Sequence, residues 1–91
     1  MLADIKKMSG INNTDFDTII TTEIASAKAD LQACGIAPEK IVETDALIYS
    51  AIATYVKAFI DVENSELYKN AYDLQKDALR HYAEYRAEAQ E

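Results

Sequence analysis

Thr44–Val62 reads TDALIYSAIATYVKAFIDV, and its reading decides the fold. As a helix it carries one narrow polar stripe, Ser50, Thr54, Lys57 and Asp61, spaced four, three and four apart. Opposite that stripe lie Ile48, Ile52, Tyr55 and Phe59. One flank holds Leu47, Ala51, Ala58 and Val62, and the other Tyr49, Val56 and Ile60. A helix apolar over most of its circumference must be covered nearly all round. A chain of 91 residues has few elements with which to cover it. Either its other helices wrap this one, or other subunits supply part of the cover. The flank Tyr49, Val56 and Ile60 is the candidate for such a subunit contact.

On either side of this stretch the chain reads as helix. With two glycines and one proline there is little material for β-turns. The sequence predicts one all-α domain over 1–91, a small bundle of three main helices plus a short N-terminal helix. Its expected helices cover 2–9, 15–34, 45–61 and 65–88. Leu2, Ile5 and Met8 form the first, which Ser9-Gly10 ends. The second opens with Thr14 and Asp17 in a capping-box-like arrangement. It presents Phe16, Ile20, Ile24, Ala27, Leu31 and Cys34 on one face, and closes with Gly35 in the left-handed position. Glu23 and Asp30 flank that face. They are edge charges in water or, alternatively, an inter-subunit polar contact that needs a Lys, Arg or Tyr hydroxyl from a neighbour. Pro38 opens a single turn, and Thr44 is the expected N-cap of the third helix. In the last helix Leu67, Ala71, Leu74, Ala78, Tyr82 and Tyr85 repeat at intervals of three and four, widened by Tyr68, Tyr72 and Leu79. The segment 86–91 is either frayed or docked on a partner.

Composition narrows the function. The formal charge of −7 opposes counterion-release binding to DNA, though an acidic surface can stand beside DNA without gripping it. Met1-Leu2-Ala3-Asp4 puts an acid where a secretory leader has basic residues, and Lys57 interrupts the most apolar stretch, so neither a leader nor a membrane span is expected. Cys34 is the single cysteine and has no nearby base; it reads as a small buried residue. His81 is the single histidine and sits on the polar side of the last helix. One histidine and one cysteine do not make a zinc site, and the carboxylates match no calcium-loop pattern. No catalytic, cofactor-binding or metal-binding residue is assigned, and an enzyme is not expected. Tyrosine is the unusual residue, with six copies and no tryptophan. Tyr82 and Tyr85 lie where little core remains, which makes them candidate interface anchors.

Several segments resemble a known family. Leu2-Ala3-Asp4-Ile5-Lys6 fits a Leu-x-x-Ile/Val-Lys opening, and Asp15-Phe16-Asp17 an acid-rich start to the next helix. Ala27-Lys28-Ala29-Asp30-Leu31, then Gly35-Ile36, fit its end. The apolar helix Leu47–Ile60 follows, and Tyr72-Asp73-Leu74-Gln75-Lys76-Asp77-Ala78-Leu79 resembles the closing helix. In these features the chain resembles the small head–tail connector proteins of long-tailed double-stranded DNA phages and prophages. The resemblance implies a structural subunit that forms a ring of about a dozen copies, bridging the portal protein and a tail-side head-completion protein of the filled head. It implies residence in the virion, with the host cytoplasm before assembly, and no catalytic residues or cofactors. It places Tyr82, Tyr85 and Arg86 toward the portal. The alternative is a small acidic interaction module, a bacterial adaptor or regulator, acting as a dimer.

Overall fold

The computed structural model describes residues 1–87. Four α-helices follow one another: α1 (Leu2–Met8), α2 (Asp17–Ala33), α3 (Ala46–Ile60) and α4 (Ser65–His81). Single 3₁₀ turns lie at Pro38–Lys40 and Ala83–Tyr85. No strand is formed among the described residues, apart from an isolated bridge between Ile36 and Arg86. The fold is all-α, a small bundle with a short N-terminal helix.

α3 is the centre. It packs most extensively on α4 and then on α2, while α1 lies across both α2 and α3. Its Ile48, Ala51, Ile52, Ala53 and Val56 meet Ile20, Ile24, Ala27 and Leu31 of α2, Ile5 of α1, and Tyr72 and Leu79 of α4 in one core. The face expected for α2 is the buried one, except that Phe16 stays exposed.

Two helices end by the same device. At α1, Gly10 adopts φ +72°, its N–H donates to Lys7 O, and Ile11 N donates to Lys6 O at 2.8 Å. At α2, Gly35 adopts φ +107°, with Gly35 N donating to Gln32 O and Ile36 N to Leu31 O. Both are Schellman closures, in which the residue after the glycine turns back onto the core. Ile36 is accordingly fully buried.

Helix starts differ from expectation. Thr14 does not cap α2 with its side chain: its carbonyl accepts Asp17 N, and the Asp17 carboxylate is held by Lys6 at 2.7 Å. At α3 the N-cap is Asp45, not Thr44; Asp45 Oδ1 accepts Leu47 N at 3.0 Å and Ile48 N at 3.2 Å. A carboxylate reaches both amides with one oxygen and leaves the other free for a further donor.

The largest departure is at the end. Helix was expected to run from 65 to 88, but α4 stops at His81 (residue 88 lies outside those described). Tyr82 turns extended at φ −88°, ψ 118°, and the chain folds back as a strap. Ala37 N donates to Tyr85 O at 2.8 Å, and Ala87 N to Gly35 O at 2.7 Å. Local propensity there favours helix; tertiary contact of Tyr85 prevails.

Candidate interaction surface

α4 carries two apolar lanes side by side. Tyr68, Tyr72 and Leu79 form one, and Leu67, Ala71, Leu74 and Ala78 the other. At 100° per residue Leu74 lies about 160° round from Tyr72, so a single neighbouring helix covers only one lane. α3 covers the first: Tyr72 and Leu79 are buried, and Tyr68 is half-buried. The second faces out, with Leu67 65% and Leu74 73% exposed. Leu47 of α3, half exposed, continues this surface; with Ser50, Gln75, Ala78, Leu79 and Tyr82 it lines a shallow hollow between α3 and α4. Gln75 Nε2 donates to Ser50 Oγ across its floor at 3.0 Å.

The lane was legible as a repeat but not as a surface. The signal was present: two parallel sets of apolar residues, offset by one position, on a helix with one partner.

Of the residues predicted to meet a neighbour, several are already engaged within the chain. Val56 is fully buried in the core that the four helices share; as folded it offers nothing to another subunit. Tyr49 is half-buried, and its hydroxyl donates to Asp4 Oδ2 at 2.8 Å, fastening α3 to α1. That bond to a carboxylate, with some burial, pushes the Tyr49 phenol pKa up. Ile60 is half-buried and lines a surface hollow with Met8, Val62 and Tyr68.

Asp30 does receive a tyrosine hydroxyl and a lysine, but from its own α4. Tyr72 OH donates to Asp30 Oδ2 at 2.6 Å, and Lys76 Nζ to the same oxygen at 3.1 Å. This clasp closes the gap between α2 and α4 over α3. Desolvation pulls the Asp30 pKa up, and the bonds from Tyr72 and Lys76 outweigh it, so the carboxyl sits below its ordinary value. The Tyr72 phenol is pushed well up, by burial first and by Asp30 second. Glu23 is half-buried on the same side of α2 and close enough to Tyr55 to help raise that phenol's pKa, after burial.

Tyr82 and Tyr85 part company. Tyr82 is 48% exposed at the hinge, whereas Tyr85 is buried at 6% and its hydroxyl donates to Asp45 Oδ2 at 2.7 Å. As folded in the single chain, Tyr85, expected as a partner anchor, instead plugs its own bundle and binds the N-cap of α3. The Asp45 bond, then lesser burial, raises the Tyr85 pKa to about 12. The same bond, with the Ile48 amide, lowers that of Asp45. Arg86 is exposed and holds the strap through its backbone.

Chemistry is sparse elsewhere. Among the described residues no three His, Cys, Asp or Glu side chains gather as a metal site. His81 Nδ1 lies 2.7 Å from Asp77 O on the surface. Cys34 Sγ donates to Leu31 O at 3.1 Å, and burial raises its pKa, which disfavours the thiolate. No helix among the described residues is long and apolar enough to cross a membrane.

A surface made of helix faces, with no reactive constellation, suits contacts between proteins. Comparison with known families agrees: the model described as "Phage connector protein" matches residues 1–89. No curated protein and no solved structure gave a match. With nearly its whole length matched, the chain belongs to the phage connector protein family, whose members are structural components of the virion.

Proposed function

We propose that this connector subunit assembles into a homo-oligomeric ring of about a dozen copies between the portal protein and a tail-side head-completion protein. The observation that carries this reading is the uncovered lane of α4. Leu67 and Leu74 are large side chains, about 1.5–3 kcal/mol each when buried. On a solitary subunit they stay in water. Adjacent subunits in a ring bury such a lane head to tail, one copy's α4 against a different face of the next. Exposed Phe16 and Ile19 at the start of α2, with Phe59 near the end of α3 and Val62 just beyond it, offer apolar surface for the opposite side of that contact.

The cost of association is of the same order as the gain from one lane. Solitary subunits therefore remain monomers until a portal ring holds many copies in register. The charge of −7 suits a collar through which DNA passes without sticking. In this reading Tyr82 and Arg86 meet the portal, which their exposure at the strap supports. Catalysis forms no part of this role.

Native mass measurement of the protein mixed with its portal tests the reading. A closed multi-copy species is expected with wild-type protein and not with Leu74→Asp. Wild-type protein that stays monomeric at high concentration beside an intact portal would refute it.

A further inference from the structure

The strap Tyr82–Ala87 occupies a conformation that its own sequence disfavours. Ala83, Glu84, Arg86 and Ala87 are strong helix formers, and helix spacing continues through them: Tyr82 and Tyr85 stand four and seven positions beyond Ala78. The backbone has nearly equal alternatives. As a strap, Tyr85 N donates to Tyr82 O, Arg86 N to Ala83 O and Ala87 N to Gly35 O, while Tyr85 O accepts Ala37 N. As a continued helix, the same amides would each find the carbonyl four residues back. What selects the strap is one side chain, Tyr85, through its burial and its bond to Asp45. The two forms part first at Tyr82, the one extended residue between α4 and the turn, and again at Arg86, extended at ψ 141° after it. Conflict between local preference and tertiary contact, resolved by the docking of one side chain, is the signature of a two-state element.

We propose that residues 82–87 switch between the docked strap and a continuation of α4, with Tyr85 as the latch. In the released state Tyr82 and Tyr85 join Leu67, Ala71, Leu74 and Ala78 on one lane and lengthen the exposed surface by two aromatic residues. The strap therefore keeps that surface short on a solitary subunit, and its release prepares the subunit for its neighbours. This last link rests on the ring reading above; the two-state segment itself does not.

Position 83 separates the states. Ala83 is exposed, opens the 3₁₀ turn, follows an extended residue, and its N–H donates to no backbone carbonyl among the described residues. Proline fits there in the strap, but would remove the bond to Leu79 O that a continued helix needs. The test is NMR on the full chain. Tyr85→Ala is expected to give helical ¹³Cα shifts at Ala83–Arg86 and at least tenfold faster exchange of the Ala37 amide. Adding Ala83→Pro to it should abolish the helical shifts and leave that exchange fast, while Ala83→Pro alone keeps Ala37 protected. Coil-like shifts in Tyr85→Ala, or unchanged Ala37 exchange, overturn the switch. Should Tyr85→Ala unfold the bundle, Tyr85→Phe, which deletes only the hydroxyl, must speed Ala37 exchange severalfold; unchanged exchange overturns it equally. Co-assembly with the portal is the second readout, and Ala83→Pro is expected to lose it. If wild type and Ala83→Pro co-assemble alike, the gating link fails while the NMR result stands. If neither co-assembles, the ring reading fails instead.

Discussion

α3 and α4 exchange the roles their compositions suggest. α3 is apolar around most of its circumference, yet its large residues are mostly inside, with Leu47 and Phe59 left half exposed. α4 is far more polar on average and has a clear stripe, yet much of that stripe lies in water. The difference is one of position. α3 sits between α2 and α4 with α1 across it, so it has neighbours on several sides. α4 is an outer helix whose principal helical neighbour is α3. Amphipathic pattern measures how much cover a helix needs; its place in the bundle decides whether its own chain provides it. In this chain the surplus apolar surface has moved from the middle helix to the last.

The sharpest way to break that comparison is at the centre of α3. Ile52 is fully buried, and truncation of such a residue typically costs about 2–5 kcal/mol. Ile52→Ala should move the urea midpoint of the monomer by a large fraction of its total stability, about 5–15 kcal/mol for a small domain. A shift too small to measure would mean that α3 is not enclosed by its own chain.

Next in size is the closure of α2. Gly35 has φ +107°, a conformation side chains rarely adopt, although a Cβ there would meet nothing within 4 Å. Gly35→Ala should therefore cost about 1–3 kcal/mol through backbone strain alone. Calorimetry of the two glycine variants sharpens the point. Gly10→Ala, at φ +72° in a shorter helix farther from the strap, is expected to cost less, because Gly35 also accepts Ala87 N and places Ile36 in the core.

How much of this was legible follows from what each signal measures. The existence of four helices, the buried face of α2 and the glycine at its end are local facts, written in spacing and in the one residue type that tolerates positive φ. The side of α4 that meets α3 is not local. Both lanes satisfy a three-to-four repeat, and only the approach angle of α3 chooses between them. Val56 and Tyr85 are enclosed by the single chain for the same reason: flank and tail positions look spare on one helix until the others are in place. For Asp30 the sequence offers an edge charge in water or, alternatively, a contact with a neighbour's Lys, Arg or Tyr hydroxyl; the tyrosine hydroxyl and the lysine that it meets come from its own chain, 42 and 46 residues on. The strap could not be read at all, since helix propensity pointed the other way and the bond that overrules it joins Tyr85 to Asp45, 40 residues apart.

The clasp between α2 and α4 supplies a smaller effect with a defined sign. Asp30 titrates below its ordinary value of 3.8 in the folded protein, so its charged form favours folding. That contribution is complete above the unfolded value and is lost as pH falls below 3.8 toward the lowered folded value. The side chain is 38% exposed, so solvent screening holds the pair to about 1 kcal/mol or less. Asp30→Asn should lower stability at pH 7 by that amount and flatten the acid limb of the stability curve below pH 4. Glu43 and Asp45 also titrate low and leave part of the limb in place. An unchanged acid limb would mean that α4 is not held to α2 by this carboxylate.

The smallest expected change in the monomer bears most on function. Leu74 is 73% exposed, and substitution of so exposed a residue usually moves stability by no more than about 0.5 kcal/mol. Leu74→Asp should leave the urea midpoint nearly where it was. In a ring the same change would bury an unpaired carboxylate at every subunit contact, repeated around the collar. Its penalty is therefore multiplied on assembly while remaining negligible in isolation, and even a modest cost per contact abolishes closure. A stable Leu74→Asp monomer that no longer joins the portal places the interface on the outer lane of α4. A stable monomer that assembles normally moves the subunit contact to the other exposed apolar ground, Phe16 and Ile19 at the start of α2 with Phe59 and Val62, where Ile19→Asp would then have to show the same split.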